Sequence, residues 1–330
     1  MNTLRPPPSN PPILLTVIDT EEEFDWHHPF RRDAVSVTAM DHIGRAQEIF
    51  DAFGVRPVYV VDYPVASQER GFAPIKEFLQ TNRATLGAHL HPWNTPPYTE
   101  DLCANNSFPG NLPRHLEAAK LQILVTQIKH SFGLTPLVYK AGRYGVGANT
   151  AAILEEQGFE VDLSPSPPFD FQGAGGPDFS AHSSEPHWFG SRQQLLCLPT
   201  TGGYVGPFSN RTAHQLFNWS RRPLFKRLHL PGIMARLGLL NRLRLSPEGH
   251  TLDEMKLLTR TLRHRGMNIF SLSFHSPSLQ PGNTPYVHNA RDLQRFLGRI
   301  QGYLDFFLRE LGGVLMPPLE IKHLLQTKDF

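Results

Sequence analysis

The sequence predicts an α/β protein folded as a single parallel barrel. Short apolar runs alternate with helix-period segments, seven such runs occur, and chemically capable residues sit at or just past their C-terminal ends. The strands are expected at Ile13–Asp19, Pro57–Asp62, Ala84–His89, Pro136–Ala141, Phe159–Asp162, Gln194–Pro199 and Asn268–His275. Helices are expected over Met40–Phe53, Leu116–Phe132, Leu252–Arg265 and Ala290–Leu311. Within the first, Ile43, Ala46, Ile49, Phe50 and Phe53 recur at close to a 3.6-residue period. Residues 1–12 read as a disordered, proline-rich tail, and loops are inserted at 164–190 and 205–248.

Composition narrows the class. A chain of 330 residues, 40% hydrophobic, can bury a sizeable core, which excludes a disordered tail protein and a disulfide-stapled miniprotein. Thirty prolines, about twice ordinary usage, argue against a helical bundle. Cys103 and Cys197 lie far apart, so neither a cysteine zinc site nor a disulfide framework is expected. No apolar run approaches the roughly 18 residues of a membrane span, and MNTLRPPPSNPP lacks the apolar stretch of a signal peptide. A cytoplasmic setting is the expectation. The net charge of +2 hides an asymmetry: nine of the 32 basic residues, and none of the 30 acidic ones, lie between Pro186 and Pro247. This block mixes Leu, Phe, Ile and Met with Arg and Lys. It suits an anionic lipid surface or a polyanionic sugar, or is an ordinary solvated helical insertion. It carries no nucleic-acid-binding signature, and no nucleic-acid partner is expected.

The polar residues at the strand ends define a candidate site, because a parallel barrel gathers its active site at that face. The first strand runs into Asp19 and Glu21, whose i, i+2 spacing turns both the same way on an extended chain. Two carboxylates so placed call for a cation or a shared proton, unless they belong to a solvated acidic loop. His89 and His91 repeat this spacing at the end of the third strand, and two such imidazoles can chelate one transition metal. Asp62 follows the second strand and is a candidate substrate-binding residue. Arg143 follows the fourth, in a glycine-rich turn that lets a backbone N–H approach a ligand. Asp162 and His275 end strands, and a histidine with a carboxylate neighbour can act as a general acid. Trp93, Trp188 and Tyr204 are candidates to stack on a sugar ring or are ordinary packing. The GxGxxG fingerprint is absent, which excludes a dinucleotide fold.

In order, VIDTEEEFDW, GAHLHPWNTPP, the Arg143-Tyr144 turn and SFHSPSLQPG resemble the polysaccharide deacetylase superfamily, the NodB-homology carbohydrate esterases, and most closely a bacterial subgroup tied to surface-polysaccharide clusters. The resemblance runs from about Ile13 to Ser278. It implies a single-domain, distorted (β/α)7 barrel that removes N-acetyl groups from amino sugars, or from a polysaccharide precursor, with a divalent metal such as Zn2+. By that resemblance Asp19 is the catalytic base, Arg143 orients it, the backbone N–H of Tyr144 is an oxyanion donor, and His275 is the general acid tuned by Asp162. Glu21, His89 and His91 fall at metal-ligand positions. The family places two histidine ligands four residues apart; here position 93 is Trp, leaving His91 or a residue elsewhere as the second. Two alternatives remain at this level: hydrolysis of a small amide, and a non-catalytic relative that binds a polymer or a membrane.

Overall fold

The computed structural model describes residues 10–25, 28–209, 212–220, 222, 227 and 229–327. Its strands are β1 (Ile13–Thr20), β2 (Val58–Val61), β3 (Thr85–Leu90), β4 (Val138–Ala141), β5 (Val161–Asp162), β6 (His187–Phe189), β7 (Leu195–Cys197), β8 (Gly202–Val205), β9 (Asn241–Arg244), β10 (Ile269–His275) and β11 (Val314–Leu315). The main sheet runs β10-β1-β2-β3-β4-β5-β7, all parallel, with β6 antiparallel on the β7 edge and β11 beside β1. These seven parallel strands are the seven expected, and the barrel is the α/β architecture the sequence predicts. Pro57, Pro136 and Pro199 fall outside the observed strands, since proline lacks the N–H a ladder needs.

The barrel is distorted where it closes. Between β7 and β10 the chain substitutes loop contacts for a ladder: Ser271 N donates to Thr201 Oγ1 (2.8 Å), Leu245 N to Thr201 O (2.8 Å) and Ser273 N to Leu245 O (3.2 Å). Both closing residues flank the antiparallel pair β8–β9, which bounds the insertion. Inside the insertion, helices Ala213–Ser220 and Leu230–Arg236 pack Ala213 and Met234 into a small cluster with Tyr204 and Leu240. Arg211, Arg221 and Lys226 of the basic block lie outside the described residues.

Strand alternation creates two apolar layers. Ile13, Leu15, Val17, Val58, Val60, Val138, Val161, Leu196 and Ile269 fill the barrel, and Ile321 and Leu325 of the helix Pro318–Thr327 join that cluster. Leu14, Ile18, Tyr59, Val61, Tyr139 and Phe270 face outward into the layer of surrounding helices. The inward alternation continues past the apolar positions into Asp19, His89, Lys140 and His275, so four polar side chains cap the interior at the strands' C-terminal ends. Register aligns them: Asp19 is opposite His275, and His89 opposite Lys140.

Three expectations are corrected. The helix expected at Met40–Phe53 is a 3-10 turn, Thr38–His42, followed by Gly44–Phe53. The helix Ala290–Leu311 is α only to Asp305 and ends in a π turn, Phe306–Glu310. The tail is in place from Asn10, because Asn268 Nδ2 donates to Pro11 O and Val314 N to Pro12 O; residues 1–9 lie outside the described residues. No helix among the described residues is long and apolar enough to cross a membrane.

The loop after β3 is pinned by a buried lysine. Lys120 Nζ donates to the carbonyls of Pro92 (2.9 Å), Thr95 (2.6 Å) and Pro97 (2.8 Å) and stands 2.9 Å from Glu100. Lys120→Ala is expected to cost about 3 kcal/mol, since it leaves three buried carbonyls and one carboxylate without their cation. Denaturant unfolding measures this; a change below about 0.5 kcal/mol would contradict it.

Candidate active site

At the exit of β1 the extended chain turns Glu21 toward the barrel mouth, and β3 delivers His89 and His91 to the same point. Glu21 Oε2 lies 3.5 Å from His89 Nε2 and 3.4 Å from His91 Nε2, and the two nitrogens are 3.0 Å apart. The partners of the other ring nitrogens fix the tautomers. His89 Nδ1 donates to Lys140 O (2.9 Å) and His91 Nδ1 to Glu22 Oε2 (2.9 Å), so both Nε2 atoms present lone pairs to each other. Burial pushes His91 down to about 4 and His89 well below its ordinary value, which keeps both imidazoles neutral. Burial, reinforced by Glu22, Asp19, Asp62 and Glu248, raises Glu21 well above the usual carboxylate range, and its Oε1 is buried without a hydrogen-bond partner. Neutral imidazoles facing a strained carboxylate fit a divalent cation. Tetrahedral zinc with N and O ligands separates them by about 3.4 Å, close to the three spacings here.

The supports of this group are equally specific. Trp93 stacks on His91 (4.2 Å between centroids, 27°) and its Nε1 donates to Glu22 Oε1 (2.6 Å). Trp93 therefore lines the pocket and positions His91 through Glu22. Behind His91 stands Gly142, where a Cβ would come within 2.5 Å of the His91 Cδ2. Asp62, expected at the substrate, is a scaffold residue instead: its carboxylate accepts from Glu22 N and Val65 N, both at 2.8 Å, and so ties β1's exit to the following helix. It also joins Glu22 and His91 in a second buried group of potential ligands.

Beside the metal-type group stand two acid–base pairs. Lys140 Nζ lies 2.6 Å from both oxygens of Asp19. Burial alone would raise this carboxyl, but the Lys140 charge, with His89 and His275, outweighs it and holds Asp19 below its ordinary value. Opposite, His275 Nδ1 is bonded to Glu248 Oε2 (2.8 Å), and its Nε2 lies 3.7 Å from Asp19 Oδ2. Burial works to lower His275; the charge and hydrogen bond of Glu248 win and raise it. Glu248 is held in turn by the backbone N–H of His275 (3.2 Å) and by the Ser278 hydroxyl.

Several assignments change accordingly. Lys140, not Arg143, holds the Asp19 carboxylate. Arg143 instead packs over the Phe108 ring (4.1 Å) and donates to the Ala104 carbonyl and the Ser107 hydroxyl. Glu248, not Asp162, faces His275; Asp162 accepts from Ser164, whose Oγ accepts from Ala141 N, and burial pushes it up to about 6. Trp188 packs against the barrel's inner apolar cluster from β6, and Tyr204 belongs to the insertion's own cluster, so neither lines the pocket. Arg143 and Tyr144 both adopt left-handed φ, 54° and 61°, which turns the chain sharply at the pocket wall. The cavity, about 280 Å³, lies over Asp19, Glu21, His89, His91 and His275, with Arg143, Tyr144, Phe171, Arg244 and Tyr286 around it.

Sequence reasoning missed Lys140, Glu248, Glu22 and Arg244. Lys140 carries a usable signal, a charge on the inward alternation of an apolar strand. Glu248 is the first acidic residue after the acid-free block, but its contact with His275 is tertiary.

No protein-family model matches the sequence, and no curated protein matches it. Solved structures do. One assigned as a polysaccharide deacetylase from Mycobacterium smegmatis is 15% identical, with a TM-score of 0.55, covering 99% of this chain and 94% of its own. Another so assigned, from Pseudomonas aeruginosa, gives 12% and 0.52 over 96% and 92%. Puue allantoinase gives 14% and 0.52 over 100% and 98%. The chain has the fold these proteins share, the distorted (β/α)7 barrel of the polysaccharide deacetylases.

Glu22→Gln is expected to weaken divalent-metal binding by about 10–100-fold, because it loosens the orientation of His91 without removing a ligand. Competition against a metal-sensing dye reads this directly; unchanged affinity would separate Glu22 from the metal group.

Proposed function

We propose that this protein is a metal-dependent hydrolase that removes an N-acetyl group from an amino sugar of a surface polysaccharide or its precursor. One observation carries the reading: the Glu21–His89–His91 donor group shares a pocket with a lysine-held aspartate and a glutamate-backed histidine. The likeness in fold to structures assigned as polysaccharide deacetylases supports it. Zn2+, held by Glu21, His89 and His91, would supply Lewis acidity toward the amide carbonyl and a water molecule.

The protein's own groups supply the rest. Asp19, ionised by Lys140, takes a proton from the attacking water at Oδ2. The left-handed turn at Tyr144 offers a backbone N–H to the oxyanion of the tetrahedral intermediate. His275 delivers a proton from Nε2 to the amide nitrogen, without which the amine leaves poorly. The C–N bond then breaks, giving acetate and a free amino sugar. Glu248 keeps the imidazolium available near neutral pH. The complete donor group argues against the non-catalytic alternative. The small cavity and the likeness in fold to an allantoinase keep a small amide as a second substrate reading.

Purified protein should hold about one equivalent of zinc or a similar metal, lost in the His89→Ala/His91→Ala variant, and should release acetate from N-acetylated sugars. Asp19→Asn and His275→Ala should each lower turnover by at least about 100-fold in folded protein. The pH profile distinguishes their roles. Activity needs His275 protonated, so Glu248→Gln should move the alkaline limb to lower pH. Activity needs Asp19 ionised, so Lys140→Met should move the acid limb to higher pH. Limbs that stay in place would sink both assignments.

The reading extends to the insertion, which we assign to an anionic lipid surface on the cytoplasmic side. Phe208, Ile233 and Leu237 are 46%, 46% and 66% exposed in a segment whose Arg222, Arg227 and Arg236 are exposed too, a composition suited to lipid headgroups. Co-sedimentation with anionic liposomes should fall with salt and with Ile233→Glu/Leu237→Glu. Equal sedimentation with neutral liposomes would refute it.

A further inference from the structure

Two arginines face the pocket without a carboxylate. Arg244, the last residue of β9, places its guanidinium 4.7 Å from the Tyr144 ring centroid and 4.3 Å from that of Phe169. One terminal nitrogen donates to Ser166 Oγ (3.0 Å), and its Nε is buried without a hydrogen-bond partner. Arg143 rests on Phe108 and Phe30, donating to a carbonyl and a hydroxyl. Among the described residues, no carboxylate stands within ion-pair distance of either guanidinium. The acids of the pocket are committed elsewhere: Asp19 to Lys140, Glu21 to the two histidines, and Asp25 to His28 at 2.7 Å.

Two partly desolvated cations held by ring faces and neutral oxygens are an arrangement that an incoming anion would complete. A guanidinium presents a planar fork matched to the two oxygens of a carboxylate or phosphate, and such charge-assisted bonds strengthen in a shielded pocket. A neutral sugar would leave both cations short of a partner. The aromatic platforms under them, Tyr144, Phe169 and Phe108, fix the guanidinium planes and so limit the side-chain entropy lost on binding. Arg244 belongs to the return strand of the insertion, so this cation comes from the insertion rather than from a strand of the barrel.

We infer that the sugar unit taken by this pocket carries an oxyanion, a carboxylate or a phosphate, and that Arg244, with Arg143, binds it while the acetamido group lies over the metal-type site. The identity of the leaving group rests on the proposed deacetylase activity; the anion site does not.

Calorimetry separates the two. The probes are N-acetylglucosamine, its 6-phosphate, the corresponding N-acetylated uronic acid, and two acidic sugars without an acetamido group, glucose 6-phosphate and glucuronate. At least one acidic acetamido sugar should bind about tenfold or more tightly than N-acetylglucosamine, the worth of one charge-assisted bond. The better of the two identifies phosphate or carboxylate. Arg244→Gln should erase that advantage and leave the Kd for N-acetylglucosamine within about twofold, whereas Arg244→Lys should retain part of it, with thermal unfolding confirming that both variants are folded. An acidic preference that survives Arg244→Gln, or no acidic preference in the wild type, overturns the inference. Should the acids lacking an acetamido group bind with the same dependence on Arg244 while no acetylated sugar releases acetate, the anion site stands and the deacetylase activity falls. Acetate release from neutral sugars with no acidic preference would do the reverse, sustaining the deacetylase activity and removing the anion site.

Discussion

One ammonium group shared by both oxygens of a buried carboxylate organises this molecule's functional end. Lys140 and Asp19 sit on different strands, with β2 and β3 between them in the sheet, and meet across the barrel mouth at 2.6 Å. Each points inward because the strand alternation that buries Val17 and Val138 continues one step further into a charged residue. The pair thus spans the interior that those apolar residues fill below it. Neither charge is tolerable there alone, and together they fix the level at which the barrel stops being hydrocarbon.

That constraint explains the rest of the site's charge pattern. Asp19 is neutralised by Lys140, so it does not demand a second cation. Glu21 has only neutral imidazoles near its Oε2 and no hydrogen-bond partner on Oε1, so among the described residues no cation of the protein offsets it. His89 connects the two systems, since its Nδ1 donates to the carbonyl of Lys140 itself. The residue that holds Asp19 thereby also sets the tautomer of His89. His275 completes the ring from the other side, charged through Glu248 and only 3.7 Å from Asp19. A carboxyl held below its ordinary pKa and an imidazole held above its own coexist at this distance because each has its own counter-charge behind it.

Much of the fold was legible in the sequence, because strand and helix signals are local. The apolar runs at Ile13, Val58, Val138 and Ile269 and the helix-period segments mark elements whose burial is decided within a few residues. The metal-type group was legible for the same reason: Asp19 and Glu21, and His89 and His91, are i, i+2 pairs on extended chain, and their direction follows from the pleat. The partner assignments were not legible. Arg143 is one turn past the strand end and, in left-handed conformation, swings onto Phe108; Lys140, three residues earlier, has the inward parity that Arg143 lacks. Asp162 has the right chemistry for His275 but lies across the sheet on β5, whereas Glu248 arrives from a loop with no periodic signal.

The pairing of His89 with His91 shows how little chain this donor group needs. Two imidazoles at i, i+2 need only the strand, and β3 with its continuation brings their Nε2 atoms to 3.0 Å from each other. Position 93 adds an indole that stacks on His91 and hydrogen-bonds the Glu22 carboxylate that orients it. The insertion is bound into the same logic. Its closing segment furnishes Leu245 to bridge β10, Arg244 to the pocket wall and Glu248 to His275, within five residues. A segment that closes the barrel, lines the pocket and faces His275 cannot be displaced without altering all three.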